Sequence, residues 1–298
     1  MYTYIKRFFF FILTNIAIMT VLTGLMMILN IFFPGIIDAN GSMLGLLIIA
    51  TVVGFTGSFI SLFLSRWSAK RAYNITLLED GNISNDKLKI VWDTVARIAQ
   101  ANNIKQPEVG YYESPEPNAF ATGASKNSSL VAVSTGLLDL MNKDEIEGVV
   151  GHEMAHILNG DMVTLTLIQG VMNTFVYFLS TLIARAISSY LARDNDNVSS
   201  LTYSLISFVL QISLGFLASF VVMYASRIRE YRADLGGATY TSKSKMIAGL
   251  KKLKTITAKT KIHDGKMTAF MITEPDSMFS THPSLDNRIS ALENNFKL

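Results

Sequence analysis

The sequence predicts a mainly helical α+β protein in which four transmembrane helices are combined with a cytoplasmic domain. Half of the 298 residues are hydrophobic and only 16% are charged, and the mean hydropathy is positive. This composition is too apolar for an ordinary soluble domain. The apolar residues are concentrated in four long runs, and the polar remainder has both helical and strand-like patterns. We therefore expect a membrane protein that carries a folded polar domain.

Four uncharged runs are each long enough to cross a bilayer, which takes about 20 helical residues. They occupy residues 8–37, 39–65, 162–184 and 198–226. The first run is longer than the apolar core of a signal peptide, which has about 7–15 residues. Residues 30–34 also contain no small-residue cleavage site. We therefore interpret the first run as a membrane span.

Basic residues beside the spans predict the orientation of the chain. Lys6 and Arg7 precede the first span, residues 34–42 contain no lysine or arginine, and Arg66 follows the second span. This distribution places the N-terminus and the region after Arg66 in the cytoplasm. Whether the second hairpin, residues 162–226, crosses the bilayer fully stays open. In either case the C-terminal part returns to the cytoplasm.

These boundaries divide the chain into four segments. Residues 1–65 form an N-terminal transmembrane hairpin, and 162–226 form a second hydrophobic hairpin. Residues 66–161 and 227–298 are the two parts of the cytoplasmic domain. The chain has no cysteine, which excludes disulfides and cysteine-based metal sites. The net charge of +3 is mostly juxtamembrane, which favours a lipid bilayer over nucleic acid as a partner.

The polar segment 66–161 is predicted to be a small α+β unit. Apolar periodicity indicates helices, and short β-branched runs between turn residues indicate strands. Asn142 and Glu145 form a capping box at the start of one helix, and Asn159 with Gly160 can end it. The predicted helices are 87–101, 137 to about 142, and 143–158, and the predicted strands are 108–112, 118–123 and 129–134.

The strongest chemical signal is the run His152-Glu153-Met154-Ala155-His156 on the last of these helices. Histidines at i and i+4 project from one helical face and can reach one metal ion, and the glutamate can take a proton from a metal-activated water. A lone H-E-x-x-H also occurs by chance. Since Val149 and Leu158 lie on the same side of the helix as the histidines, paired core histidines are the alternative.

A catalytic zinc ion has three protein ligands and one position for water. The chain has two further histidines, His263 and His282, and a carboxylate is the more plausible third ligand. Glu230 directly follows the fourth run, and a hairpin would bring it and the motif within roughly 10 Å of the membrane surface. Asp234, four residues later, and Asp161 are alternative partners for the outer N–H of a ligating histidine.

The expected chemistry is hydrolysis of a peptide bond. Zinc lowers the pKa of its water, Glu153 removes the proton, and Glu153 then hands it to the leaving amine. The alternative is that Glu230 is a surface charge beside Arg227 and Arg229, with Asp234 as its neighbour on a solvated face.

Several segments together resemble the HtpX family of bacterial membrane metalloproteases, which is related to the CAAX prenyl protease group. The resemblance covers essentially the whole chain. Its motifs are residues 152–156 with 159–161, then 230–234, 117–121, and 281–284 with Arg288 and Ile289.

This resemblance implies a zincin-like metalloprotease domain with one Zn²⁺ per chain, held by His152, His156 and Glu230. Glu153 is the implied base, and Asp234 the implied support for a ligand. The implied activity is that of an endopeptidase of the bacterial cytoplasmic (inner) membrane. It would act on membrane and misfolded polypeptides in envelope quality control and heat stress.

Two further segments gain meaning from the resemblance. Asn118, Ala119 and Phe120 begin a segment that resembles the family's edge strand, against which a substrate backbone could pair; an ordinary inner strand is the alternative. His282 and Arg288 could stabilise the oxyanion or a neighbouring carboxylate. Alternatively, they hold the C-terminal segment in place.

Other classes of function are less consistent with the sequence. An intramembrane protease would carry the motif inside an apolar span, whereas charged residues surround it between 143 and 161. A transporter would bury ionisable groups within its spans, and the four runs contain none. A non-catalytic scaffold with a structural metal stays open. Gly41 and Gly45 form a G-x-x-x-G motif, so a homo-oligomer is a further expectation.

Overall fold

The computed structural model describes residue 31 and residues 43–192, 200–264 and 282–294. Apart from residue 31, the predicted first span lies outside the described residues, and so does Gly41. The described part is mainly helical and includes one sheet. In chain order its elements are α1 (Met43–Ala72), β1 (Thr76–Leu77), α2 (Asp86–Ala101), β2 (Glu108–Tyr112), β3 (Ala119–Ser125), β4 (Ser128–Ser134), α3 (Thr135–Leu140), α4 (Lys143–Asn159), α5 (Asp161–Ala192), α6 (Ser200–Tyr240), α7 (Lys243–Asp264) and α8 (Leu285–Glu293).

Three of these helices are long and apolar enough to cross a membrane: Met43–Ala72, Asp161–Leu191 and Leu201–Tyr240. They include the third predicted run, residues 43–65 of the second and residues 201–226 of the fourth. Large apolar side chains are exposed along them, for example Phe175 at 58% and Phe208 at 61%. In a bilayer such a surface contacts lipid.

The chain forms two compact units, residues up to 61 with 166–222, and residues 62–165 with 223–298. In the first unit α1 and α5 approach closely. A Cβ at Gly54 would collide with Thr174 on α5, and the amide of Asn173 donates to the carbonyl of Gly54 at 3.4 Å. A glycine therefore permits this close helix contact.

The second unit contains a four-stranded sheet with the order β1-β2-β4-β3. β2 and β4 pair in parallel, with Val109 opposite Val131, whereas β3 pairs with β4 antiparallel. The three predicted strands are confirmed to within two residues at each end, and the two-residue β1 was not predicted. β3 occupies one edge of the sheet. This agrees with the predicted edge strand rather than the inner-strand alternative.

One face of the sheet packs on α2 and α4. Val109, Val131 and Val133 from the sheet join Val95 of α2 and Val150 of α4 in one buried cluster. Successive strand residues point to opposite faces, so Tyr112 and Phe120 lie on the other face. There their rings contact the ring of Tyr73.

Helix α4 begins and ends as its sequence predicts. The side chain of Asn142 accepts from the backbone of Glu145, and Glu145 accepts from the backbone of Asn142. Gly160 ends the helix with φ 69° in the left-handed region, which glycine adopts at little cost. α5 starts at the next residue. The motif helix thus leads directly into a candidate span.

Candidate metal centre and cleft

Three potential metal-ligating side chains converge between α4 and α6. The Nε2 atoms of His152 and His156 lie 3.1 Å apart, and each is 3.4 Å from one carboxylate oxygen of Glu230. The potential ligand atoms all lie within 4.8 Å of one another. The long helix α6 supplies the carboxylate, which the sequence singled out as the third ligand.

The outer nitrogen of each histidine faces its own carboxylate. Nδ1 of His152 is 2.9 Å from Oδ1 of Asp234, and Nδ1 of His156 is 2.6 Å from Oδ2 of Asp161. A proton held on Nδ1 leaves the Nε2 lone pair free for a metal. The sequence gave these two aspartates as alternatives, whereas the structure uses both, one for each histidine.

Arg288 from α8 is buried behind this cluster. Its Nε and Nη2 donate to the two carboxylate oxygens of Asp234 at 2.8 and 2.6 Å, and its Nη1 lies 3.4 Å from Glu230. The side chain is only 2% exposed. Arg288 therefore contacts neighbouring carboxylates, and because these contacts also tie α8 to α6, the geometry fits the alternative that it holds the C-terminal segment in place as well.

His282 lies on the accessible side of the cluster. Its Nδ1 is 2.9 Å from Oε2 of Glu230, and a third of its side chain is exposed. It also lines the cleft in front of the histidines. His282 can therefore donate either to Glu230 or to a group that enters the cleft. His263 lies near the end of α7.

The electrostatics of the cluster favour a cation. Burial by itself would lower the pKa of His156, but hydrogen bonds to Asp161 and Glu230 outweigh it and raise the pKa to about 10. The pKa of His152 is raised as well, since hydrogen bonds to Asp234 and Glu230 exceed the effect of its burial. These carboxylates stabilise positive charge on the imidazoles. A bound metal ion can supply that charge instead of protons.

Glu153 is buried next to the cluster, with 7% of its surface exposed. Burial raises the pKa of its carboxyl, although the nearby His152 and His156 and a hydrogen bond from the backbone of Ala121 act in the opposite direction. Ala121 belongs to the edge strand β3. The predicted base therefore lies between the two histidines and the strand predicted to contact a substrate.

A cleft of about 560 Å³ opens in front of these groups. Asn118, Ala119 and Phe120, the positions predicted to contact substrate, line it together with Glu153. A cleft of this size can take several residues of an extended chain. The predicted catalytic and substrate-contacting residues thus share one concave surface.

Two lining residues have roles that the sequence did not predict. Arg229 donates to the carbonyl of Asp161 at 2.9 Å and to the hydroxyl of Ser226 at 3.2 Å, so it ties α6 to the start of α5. The position of Arg229 directly before Glu230 is the sequence feature that could have indicated this role. Tyr73 follows α1 and lines the cleft, and no sequence motif marks it.

Comparisons with known proteins show the family of the chain. The model of Peptidase family M48 matches residues 85–295. A Protease HtpX homolog of Neisseria meningitidis serogroup C / serotype 2a is 50% identical over 289 residues, which covers 97% of this chain and 99% of the relative. Protease HtpX of Tolumonas auensis is 46% identical, with coverage of 96% and 98%.

A crystal structure of S. mikatae Ste24p has a similar fold. The TM-score is 0.64 at 18% identity, and the match covers 97% of this chain and 67% of that chain. The family match, the extent of the identity and the apolar helices lead to one conclusion. The chain belongs to peptidase family M48 and, within it, to the HtpX proteases, and is a membrane metalloprotease.

Proposed function

We propose that this chain is a zinc-dependent endopeptidase of the bacterial inner membrane that cleaves membrane or misfolded proteins at the cytoplasmic face. The observation that carries the proposal is the convergence of His152, His156 and Glu230 beside Glu153, in a cleft with an edge strand.

The donor set fits a catalytic zinc ion. Two imidazole nitrogens and one carboxylate oxygen are the ligands of a well-known class of zinc hydrolases, and they leave a position for water. The carboxylates of Glu230 and Asp234 are 2% and 1% exposed, and Arg288 supplies one positive charge to the two of them, so a bound cation would balance the second negative charge. When bound, zinc supplies Lewis acidity, which lowers the pKa of water and polarises a peptide carbonyl.

The residues of the chain supply the proton transfer. Glu153 accepts a proton on a carboxylate oxygen from the water whose oxygen bonds to the peptide carbonyl carbon. It then delivers this proton to the amide nitrogen, which leaves as an amine when the carbon–nitrogen bond breaks. A pKa raised by burial suits both steps, because the group must act first as a base and then as an acid. Asp161 and Asp234 meanwhile hold the two imidazoles in the tautomer that leaves Nε2 free.

The edge strand supplies the alignment of the substrate. Among the described strands only β4 pairs with β3, and an extended peptide can add to the edge of a sheet through backbone hydrogen bonds. Such pairing depends little on side chains. It therefore suits an enzyme that acts on many unfolded polypeptides.

A non-catalytic scaffold with a structural metal is the second candidate. A structural zinc site is normally closed by four protein ligands, whereas here a wide cleft adjoins the three. The buried Glu153 would also have no role in a purely structural site. Both observations favour the enzyme.

Replacing Glu153 by glutamine tests the proposal in detergent-purified full-length protein. We expect Glu153→Gln to keep its zinc, since only proton transfer is removed. Its rate of casein cleavage should fall by about 100-fold or more. Asp144→Asn, at a largely exposed position on the same helix, is the control and should cleave normally. Unchanged cleavage by Glu153→Gln would contradict the proposal.

A further inference from the structure

The apolar side chains that line the cleft differ in exposure. Met246 and Leu250 are each 1% exposed, so they belong to the core. Less buried are Ala69, Tyr73, Phe120, Met162 and Leu165, which we call the aromatic wall after the contact between the rings of Tyr73 and Phe120. Tyr73 is 45% exposed. An apolar surface of this kind, open to a cleft, can receive a ligand.

The local backbone fixes the position of Tyr73. Helix α1 ends at Ala72, and Asn74 has φ 50° in the left-handed region. The N–H of Ile75 donates to the carbonyl of Lys70 at 3.1 Å, a bond typical of a helix that ends through a left-handed residue. Tyr73 is thus held between an ordered helix and an ordered turn.

Two further rings support the ring of Tyr73. Its centroid lies 5.0 Å from that of Tyr112 and 5.2 Å from that of Phe120, and the last two are 5.9 Å apart. Rings at these distances stabilise one another. The aromatic wall is therefore formed before any substrate arrives, which lowers the entropic cost of binding.

The wall adjoins the reacting centre. Phe120 precedes Ala121, and the backbone of Ala121 is hydrogen-bonded to the carboxylate of Glu153. A peptide that pairs with β3 there would present side chains alternately to the two sides of its strand. A side chain close to the bond being cleaved would then contact the aromatic wall.

We propose that the aromatic wall is a specificity subsite that selects a large apolar side chain of the substrate, with Tyr73 and Phe120 as the selecting residues. An apolar side chain gains from leaving water there. A carboxylate would lose its hydration without gaining a cationic partner from the five wall residues. The inference rests on the proposed peptidase function and adds the kind of side chain that the enzyme prefers.

Quenched fluorescent peptides with one varied residue test the subsite on the full-length protein in detergent. Mass spectrometry locates the cleaved bond, and each peptide carries Phe, Ala or Glu at one position around it. At one position we expect wild-type kcat/KM to be about tenfold or more higher for Phe than for Ala. In Tyr73→Ala the ratio of kcat/KM for the Phe peptide to kcat/KM for the Ala peptide should fall toward one.

A variant with a positive charge in the aromatic wall provides a second test. Tyr73→Lys places a cation at a position that is 45% exposed and should improve cleavage of the Glu peptide relative to the Phe peptide by about tenfold. Leu140→Ala is the control for Tyr73→Ala and should keep the wild-type preference. Leu140 is similarly exposed, at 44%, and is not among the described residues that line the cleft.

The outcomes separate the two proposals. Wild-type cleavage without a preference at any position, or a preference that both Tyr73 variants retain, would overturn the subsite alone. Wild-type protein that carries zinc but cleaves none of the peptides and no casein would overturn the peptidase function, and the subsite with it.

Discussion

His152 and His156 are each oriented by a separate carboxylate, and the two carboxylates are themselves held differently. Asp234 receives two hydrogen bonds from Arg288. Asp161 is fixed through its backbone, because Arg229 donates to its carbonyl. In both arrangements the aspartate lies at Nδ1 of its imidazole ring, whereas the Nε2 atoms face Glu230.

Removing the charge of Asp161 tests its proposed role at His156. In Asp161→Asn we expect zinc affinity to fall by about 10- to 100-fold, because the amide supports the required tautomer less well. Competition with a chromophoric chelator measures this affinity. Asp139→Asn, at an exposed position on α3, should bind zinc like the wild type. Equal zinc affinities in the two variants would show that Asp161 does not support metal binding by His156.

Arg288 is expected to be necessary for stability. In Arg288→Met, the carboxylate of Asp234, 1% exposed, loses its bidentate partner, and we expect the free energy of unfolding to fall by about 3–5 kcal/mol. Arg288→Lys should recover only part of this loss, because lysine cannot form the bidentate pair. Urea unfolding in detergent measures the change.

The exposed Lys89 offers a matched control for Arg288. Lys89→Met also replaces a cation by methionine, but at an exposed position on α2, and should change the free energy of unfolding by less than about 0.5 kcal/mol. An Arg288→Met protein as stable as Lys89→Met would show that the buried ion pair contributes little.

At the scale of elements, glycines allow α4 to pack closely against its neighbours. A Cβ at Gly148 would collide with the backbone of Lys245 and lie 3.1 Å from Cα of Met246 on α7. At Gly237 of α6 a Cβ would lie 3.0 Å from the backbone nitrogen of His152. Helix packing thus holds the motif helix against α6, which carries Glu230.

Gly148→Ala separates packing from helix propensity. Alanine favours a helix over glycine by about 1 kcal/mol, but overpacking against a backbone costs about 1–3 kcal/mol, so we expect a net loss of stability. Gly57→Ala in α1, where no described atom lies within 4 Å of the new Cβ, should be neutral or stabilising. Thermal unfolding of both variants decides the sign.

The sequence predicted the elements whose signals are local. The capping box at Asn142, the end of α4 at Gly160 and the strand Glu108–Tyr112 all follow from neighbouring residues, and the structure confirms them. β1 has only two residues, which is too short for any periodicity. The parallel pairing of β2 with β4 is also a non-local property.

The same distinction applies to the candidate site. His152 and His156 share a helical face, and the hairpin pattern suggested Glu230. The contact of Arg288 with Asp234 spans 54 positions, and no pattern in the chain specifies that pair. The aromatic wall was missed for a similar reason, since Tyr73 and Phe120 meet only in the folded unit.

At the scale of the whole molecule, the proposed orientation can be tested because the chain has no cysteine. We expect Asp139→Cys to react with a membrane-impermeant maleimide only after lysis, since basic residues beside the spans predict that this domain is cytoplasmic. Asn40→Cys, in the segment 34–42 where the first two predicted spans meet, should react in intact spheroplasts. The reverse labelling pattern would contradict the orientation.

The proposed function depends on the metal centre, and the zinc content of the purified protein tests that centre most directly. We expect purified wild-type protein to hold about one zinc per chain and Glu230→Gln to hold far less at the same free zinc concentration. Glu147→Gln, at the other ion-paired buried glutamate of the second unit, should hold as much as the wild type. Full zinc occupancy in Glu230→Gln would contradict the assignment of Glu230 as the third ligand.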